Sequence, residues 1–142
     1  MNDLSIIIPS KNASNLSACV AAIWRNEPAR RGFRIIVIDD SLDLLCDFHP
    51  GDQAGGHPRS ISSYIGVKPF IFARNINQGI RIADRNDVIL LNDDALLETP
   101  GGFSRLQSIA LLNRQYGVVA PGGCSTSSAG ACRSVRRPAL GV

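Results

Sequence analysis

Two short acidic clusters are the residues of this sequence best suited to chemistry. Asp39-Asp40 follows the apolar run Ile35 to Ile38, and Asn92-Asp93-Asp94 follows Val88 to Leu91. Runs of this kind read as buried strands, so both clusters should emerge at one edge of a sheet. Carboxylates packed together repel, and burying them costs several kcal/mol unless a cation or hydrogen-bond donors compensate. A hard divalent cation with oxygen ligands is the natural compensation, and phosphate oxygens can complete its shell. The pattern therefore points to a metal-assisted site for a phosphorylated ligand. Taken singly, either cluster reads more simply as Asp capping a turn or helix. Two clusters at one edge favour a site.

The rest of the chain supplies the elements that must position them. Leu4 to Ile8 predicts a strand stopped by Pro9. Asn12 to Ser14 offers capping side chains to a helix whose apolar face is Leu16, Val20, Ile23 and Trp24, ended by Pro28. Leu42 to Phe48 reads as a short helix and Pro50 to Ser63 as a surface loop. Phe70 to Phe72 predicts a third strand, and Asn75 a cap for a helix carrying Ile76, Ile80 and Ala83. Val88 to Leu91 is the fourth strand. Thr99-Pro100 predicts the start of a helix with Phe103, Leu106, Ile109 and Ala110 on its apolar side. Gly117 fits just past its end, and Val118 to Ala120 reads as a fifth strand. Apolar strands alternating with amphipathic helices predict an α/β domain over residues 1–120, a mostly parallel sheet with helices on both faces. Ligands on such sheets bind beyond the carboxyl ends of strands, here Pro9 to Asn12, Asp39-Asp40 and Asn92 to Asp94.

Composition narrows the function classes. The chain has 142 residues, 44% hydrophobic and 19% charged, which fits one folded domain and excludes a disordered tail protein or a disulfide scaffold. Its net charge is +3, yet residues 1–120 hold twelve basic and twelve acidic side chains. The excess is Arg133, Arg136 and Arg137, in a Gly/Ser-rich segment, 121–142, that reads as a flexible tail. A neutral body disfavours nucleic acid as a partner. No apolar run is long enough to span a bilayer and no charged start leads into an apolar stretch, so a cytoplasmic setting with reduced thiols is expected. Neither G-x-G-x-x-G nor G-x-x-x-x-G-K-[ST] follows the first strand, where Pro-Ser-Lys-Asn stands. A Rossmann dehydrogenase and a P-loop NTPase are thereby disfavoured. Trp24 and the phenylalanines read as core, Cys19 as packed, and His49 and His57 as loop residues. Cys124 and Cys132 lie in the tail with nothing to support a disulfide.

Four motifs in order resemble family 2 glycosyltransferases, which have the A-type nucleotide-sugar fold. They are Ser5 to Asn12, Ile36 to Ser41, Phe72 to Ile80 with its Asn77-Gln78-Gly79, and Val88 to Asp94, with Pro100 and its helix beyond. The resemblance spans residues 4–120. It implies a donor pocket lined by the loop from Pro9 through Ser10 to Asn12, with Asp40 accepting a hydrogen bond from the base. Arg74 and Asn77 would lie near the ribose or diphosphate, and Gly79 would allow close backbone approach. Asp93 would sit by the ribose and metal, and Asp94 would ligate Mn²⁺ or Mg²⁺. Asn92 stands where the family's acidic motif has its first Asp, one negative charge fewer. The implied reaction moves a sugar from a nucleoside diphosphate sugar to an acceptor hydroxyl with inversion. The acceptor class would be a glycan, a lipid-linked or a cell-surface saccharide. The metal would stabilise the leaving diphosphate and a carboxylate base would deprotonate the acceptor. In the family that base lies well after the acidic motif, and here no Asp or Glu follows Glu98. The resemblance therefore implies a donor-binding half without its catalytic base, with room for a homo-oligomer or partner chain and for a peripheral place at a membrane.

Two other readings stay open at this level. Arg34 to Ser41 also resembles the first strand and acidic pair of a signalling receiver domain. Val88 to Asp93, followed by Pro100 and Gly102, resembles its phospho-acceptor strand. Against it, residues 4–26 go unexplained and no Lys follows Lys68. The third reading is a non-catalytic, truncated product.

Overall fold

A computed structural model describes residues 3–28, 32–40 and 60–113. In chain order they form β1 (Leu4–Ser10), α1 (Ala13–Asn26), β2 (Phe33–Asp39), β3 (Ser60–Ile65), α2 (Phe72–Ala83), β4 (Asp87–Leu90) and α3 (Gly102–Leu112). The four strands make one sheet in the order β3-β2-β1-β4, and each neighbouring pair is parallel. The expected α/β architecture is present.

Strand alternation divides the core in two. Leu4, Ile6 and Ile8 of β1 and Phe33, Ile35 and Val37 of β2 meet Leu16, Cys19, Val20 and Ile23 of α1 and Phe103 of α3. Ile7, Ile36 and Ile38 point the other way, onto Ile76 and Ala83 of α2. Helices thus cover both faces, and β1 is buried along its whole length. Burying an isoleucine side chain is worth about 1.5–3 kcal/mol, which is why the central strand tolerates a continuous apolar run. Gly79 lets α2 approach the sheet, because a Cβ there would overlap the Ile7 side chain.

Local pairing overturns several expectations. Phe70 to Phe72 is not a strand. Lys68 to Phe70 is a turn, and the N–H groups of Arg74 and Asn75 donate to the Ile71 carbonyl (3.0 and 3.1 Å), so the backbone closes at once into α2. The third strand is Ser60–Ile65, so Ser60 to Ser63 belongs to the sheet rather than to a loop. β3 pairs with β2 on one side, and its half-exposed serines suit that position. Asn75 caps nothing: it lies inside α2, buried, and its Oδ1 accepts from the Val67 N–H at 3.3 Å. α3 starts two residues after Pro100, with Gly101 as its N-cap at φ 65°. Its first-turn N–H groups are met instead by Glu27, a residue of the loop after α1. Glu27 Oε1 accepts from the N–H groups of Phe103 (2.5 Å) and Ser104 (3.4 Å), and Oε2 from the Ser104 hydroxyl (2.8 Å). Asn12 does cap α1, its Oδ1 accepting from Asn15 N–H at 3.1 Å. The expected short helix at 42–48, most of the loop at 50–63, Gly117, the fifth strand and the tail lie outside the described residues. So do His49, His57, Cys46, Cys124 and Cys132. Among the described residues no helix is long and apolar enough to cross a membrane.

Candidate functional site

The strand order creates the site. From β1 the chain moves to β2 and β3 on one side, then returns over the opposite face to β4 on the other side. The reversal leaves a crevice between the carboxyl ends of β1 and β4, where open parallel sheets bind ligands. Carrying the register Ile7↔Leu90 three residues further sets Asp93 opposite Ser10. The two side chains meet: Ser10 Oγ donates to Asp93 Oδ2 at 2.7 Å.

A cavity of about 270 Å³ opens there. Pro9, Lys11, Asn12 and Asn15 line it from β1 and the start of α1; Asn92, Asp93 and Asp94 line it from beyond β4. Phe70 and Phe72, ahead of α2, complete the wall. The Lys11 ammonium lies over the Phe70 ring, 5.6 Å from its centroid, a cation–π contact. The lining thus combines two carboxylates with a cation and two aromatic rings.

The acidic turn is pinned from below. The Asn92 carbonyl accepts from Ala95 N–H at 3.2 Å and from the Cys19 thiol at 3.8 Å. Cys19 is buried. Burial first, and then the charges of Asp93 and Asp94, push its thiol up from 9.0 to about 11. The thiol is therefore protonated at neutral pH and acts as a donor beneath the acids.

The crevice brings together Pro9, Ser10, Asn12, Asn92, Asp93 and Asp94 of the expected site residues. It does not gather the others. Asp40 follows β2, and its N–H donates to the Ser10 carbonyl at 2.9 Å. Asp39-Asp40 and Asp93-Asp94 do share one sheet edge, but β1 runs between their strands, which sets β2 and β4 roughly 10 Å apart. They are not one carboxylate cluster. Arg74 and Asn77 are exposed on α2 outside the cavity lining, and the missing Cβ of Gly79 faces Ile7. Sequence reasoning assigned Phe70 and Phe72 to the core, whereas Phe70 is half-buried and Phe72 is exposed, both on the crevice wall. It also passed over Asn15, although the i+3 spacing from Asn12 was a signal. Nothing in the sequence ties Cys19 to Asn92.

Among the described residues no three His, Cys, Asp or Glu side chains converge as a self-sufficient metal site. Asp93, Asp94 and the Asn92 amide are all hard oxygen donors. Mg²⁺ and its like usually take one or two carboxylates and complete their octahedron with water and substrate phosphates. The donor set fits a cation shared with a phosphorylated ligand and does not fit a closed protein cage. No protein-family model matches the chain, and no curated protein matches it.

Proposed function

We propose that the β1–β4 crevice binds a nucleoside diphosphate sugar together with Mn²⁺ or Mg²⁺, as the donor half of an inverting family 2 glycosyltransferase. The observation that carries this reading is the set of side chains gathered at the strand reversal. Asp93, Asp94, Lys11, Phe70 and Phe72 line one cavity, together with Asn12 and Asn15. Acids alone would repel a phosphate. A cation at Asp94, with Asp93 beside it, would turn them into a diphosphate site and favour the charge that builds on the leaving group. Lys11 and the asparagine amides add donors to phosphate or sugar hydroxyls. The aromatic wall offers a flat apolar surface to a ring of the ligand. At about 270 Å³ the cavity is small for a whole ligand of this class, so part of the donor would extend along the sheet edge toward Asp40. The reading for this chain is donor binding, and transfer to an acceptor hydroxyl is the reaction that the resemblance implies.

The strand order favours this reading over a phospho-acceptor domain. A receiver would need the strand before Asp39-Asp40 beside the strand before Asp93, in the order 2-1-3. Here β1 separates them.

Calorimetric titration with UDP, GDP and dTDP tests the proposal. Binding of at least one diphosphate that requires Mn²⁺, and that drops at least about tenfold in Asp94→Ala, is expected. No binding at millimolar concentration, or metal-dependent binding untouched by Asp94→Ala, would refute it.

A further inference from the structure

Ser10 ends β1 with its side chain buried. A hydroxyl has one proton to donate. The shortest contact, 2.7 Å to Asp93 Oδ2, takes it. The same oxygen accepts from the Asn12 N–H at 3.2 Å. Asn12 in turn caps α1 through Oδ1. A continuous chain of hydrogen bonds therefore runs from the Asp93 carboxylate through Ser10 to the Asn12 turn and the first turn of α1. It joins two segments 83 residues apart in sequence, one on each wall of the crevice.

We infer that Ser10 is a positioning residue. It holds Asp93 in one rotamer for the cation and transmits the cation's arrival to the Lys11–Asn12 turn, without itself ligating the cation. This rests on the cation reading of Asp93 and Asp94 proposed above. Two consequences set it apart from a merely structural role. A free Asp93 side chain samples several rotamers, so losing the hydroxyl should weaken cation binding by about tenfold, the usual effect of removing a group that orients a ligand. A cation drawing electron density from Asp93 also changes the hydrogen bond that Ser10 makes to it. The Asn12 amide, bonded to the same hydroxyl, should register that change although the resemblance gives it no contact with the metal.

The test uses the whole chain and Mg²⁺ alone, followed by amide resonances in NMR. In the wild-type protein the amides of Asp94 and Asn12 should both shift along one saturation curve. In Ser10→Ala the Asp94 shift should survive with about tenfold weaker Mg²⁺ affinity, while the Asn12 shift is lost. Ser10→Thr, which keeps the hydroxyl, should restore both. In an Asp93→Ala background, Ser10→Ala should change the remaining affinity less than about twofold, because the path is already cut. If Asp94 and Asn12 shift alike in the wild-type protein and Ser10→Ala, the inference is overturned and the cation reading stands. If Mg²⁺ shifts neither amide in the wild-type protein, the cation reading fails and takes this inference with it.

Discussion

The two ends of the sheet's carboxyl edge are built differently. At the β1–β4 end, the polar groups of Ser10, Asn12, Asn92 and Asp93 are tied to one another or to backbone. At the β2–β3 end, polar atoms are buried with no hydrogen-bond partner among the described residues: Asp40 Oδ1, Ser63 Oγ, Asn75 Nδ2 and Gln78 Oε1. Each such atom costs about 1–3 kcal/mol. The same end exposes large apolar side chains in a short stretch, with Ile65 59% exposed, beside Tyr64 and Val67. One end is preorganised, with its cost of ordering already met by the fold. The other satisfies itself poorly and should open at lower free energy. A site needs fixed side chains, so the contrast favours the β1–β4 end, where the proposed site lies, on grounds independent of any motif.

The contrast can be broken or sharpened by perturbing each end. Ile8→Ala, in the fully buried central strand, should cost about 2–5 kcal/mol in urea unfolding, whereas Ile65→Ala at the end of β3 should cost less than about 0.5 kcal/mol. Equal losses would erase the distinction. Alkaline pH should come next in size. The native state keeps the Cys19 proton up to about pH 11 while the unfolded chain releases it near 9.0, so the native state binds more protons in between. Stability should therefore fall as pH rises through that window, by on the order of 2–3 kcal/mol relative to Cys19→Ala measured in parallel. A pH dependence identical in the two proteins would mean that neither burial nor the charges of Asp93 and Asp94 hold the Cys19 thiol up.

Glu27→Ala should cost about 1–3 kcal/mol, since it strips the first turn of α3 of its acceptors and α3 covers the α1 face of the sheet. Glu27→Gln, which keeps one oxygen, should recover part of that loss in thermal unfolding. The smallest expected effect is in hydrogen exchange. Amides of β3 should exchange through local opening, ahead of β1, whose protection should track global unfolding. Uniform protection across the sheet would contradict the contrast.

Periodicity made most of the fold legible. The continuous apolar runs of β1 and β2 announced buried parallel strands, and the spacing Leu16, Val20, Ile23 announced α1. What failed was decided by tertiary context. Ser60 to Ile65 lacks a strand-like apolar run and becomes a strand because β2 supplies a ladder to pair with. Phe70-Ile71-Phe72 looks like a strand and instead opens a helix, leaving rings at the crevice. Glu27 lies at the end of α1 and caps a helix that starts 75 residues later, which no local rule encodes. At the site, Asn12, Asp93 and Asp94 were legible because each directly follows a strand. Asp40 was grouped with Asp93 by the same rule, which gives the sheet edge but not the strand order. Phe70, Phe72 and Cys19 reach the crevice only through packing across the sheet.

Paramagnetic relaxation by Mn²⁺ tests the central claim most directly, because it separates the two acidic pairs. With a nucleoside diphosphate present, Mn²⁺ should broaden the amides of Lys11, Asn12 and Asn92 to Ala95 most strongly, and those of α3 least. Broadening centred on Asp39 and Asp40, or none above the level of free Mn²⁺, would contradict a cation-assisted phosphate site between β1 and β4.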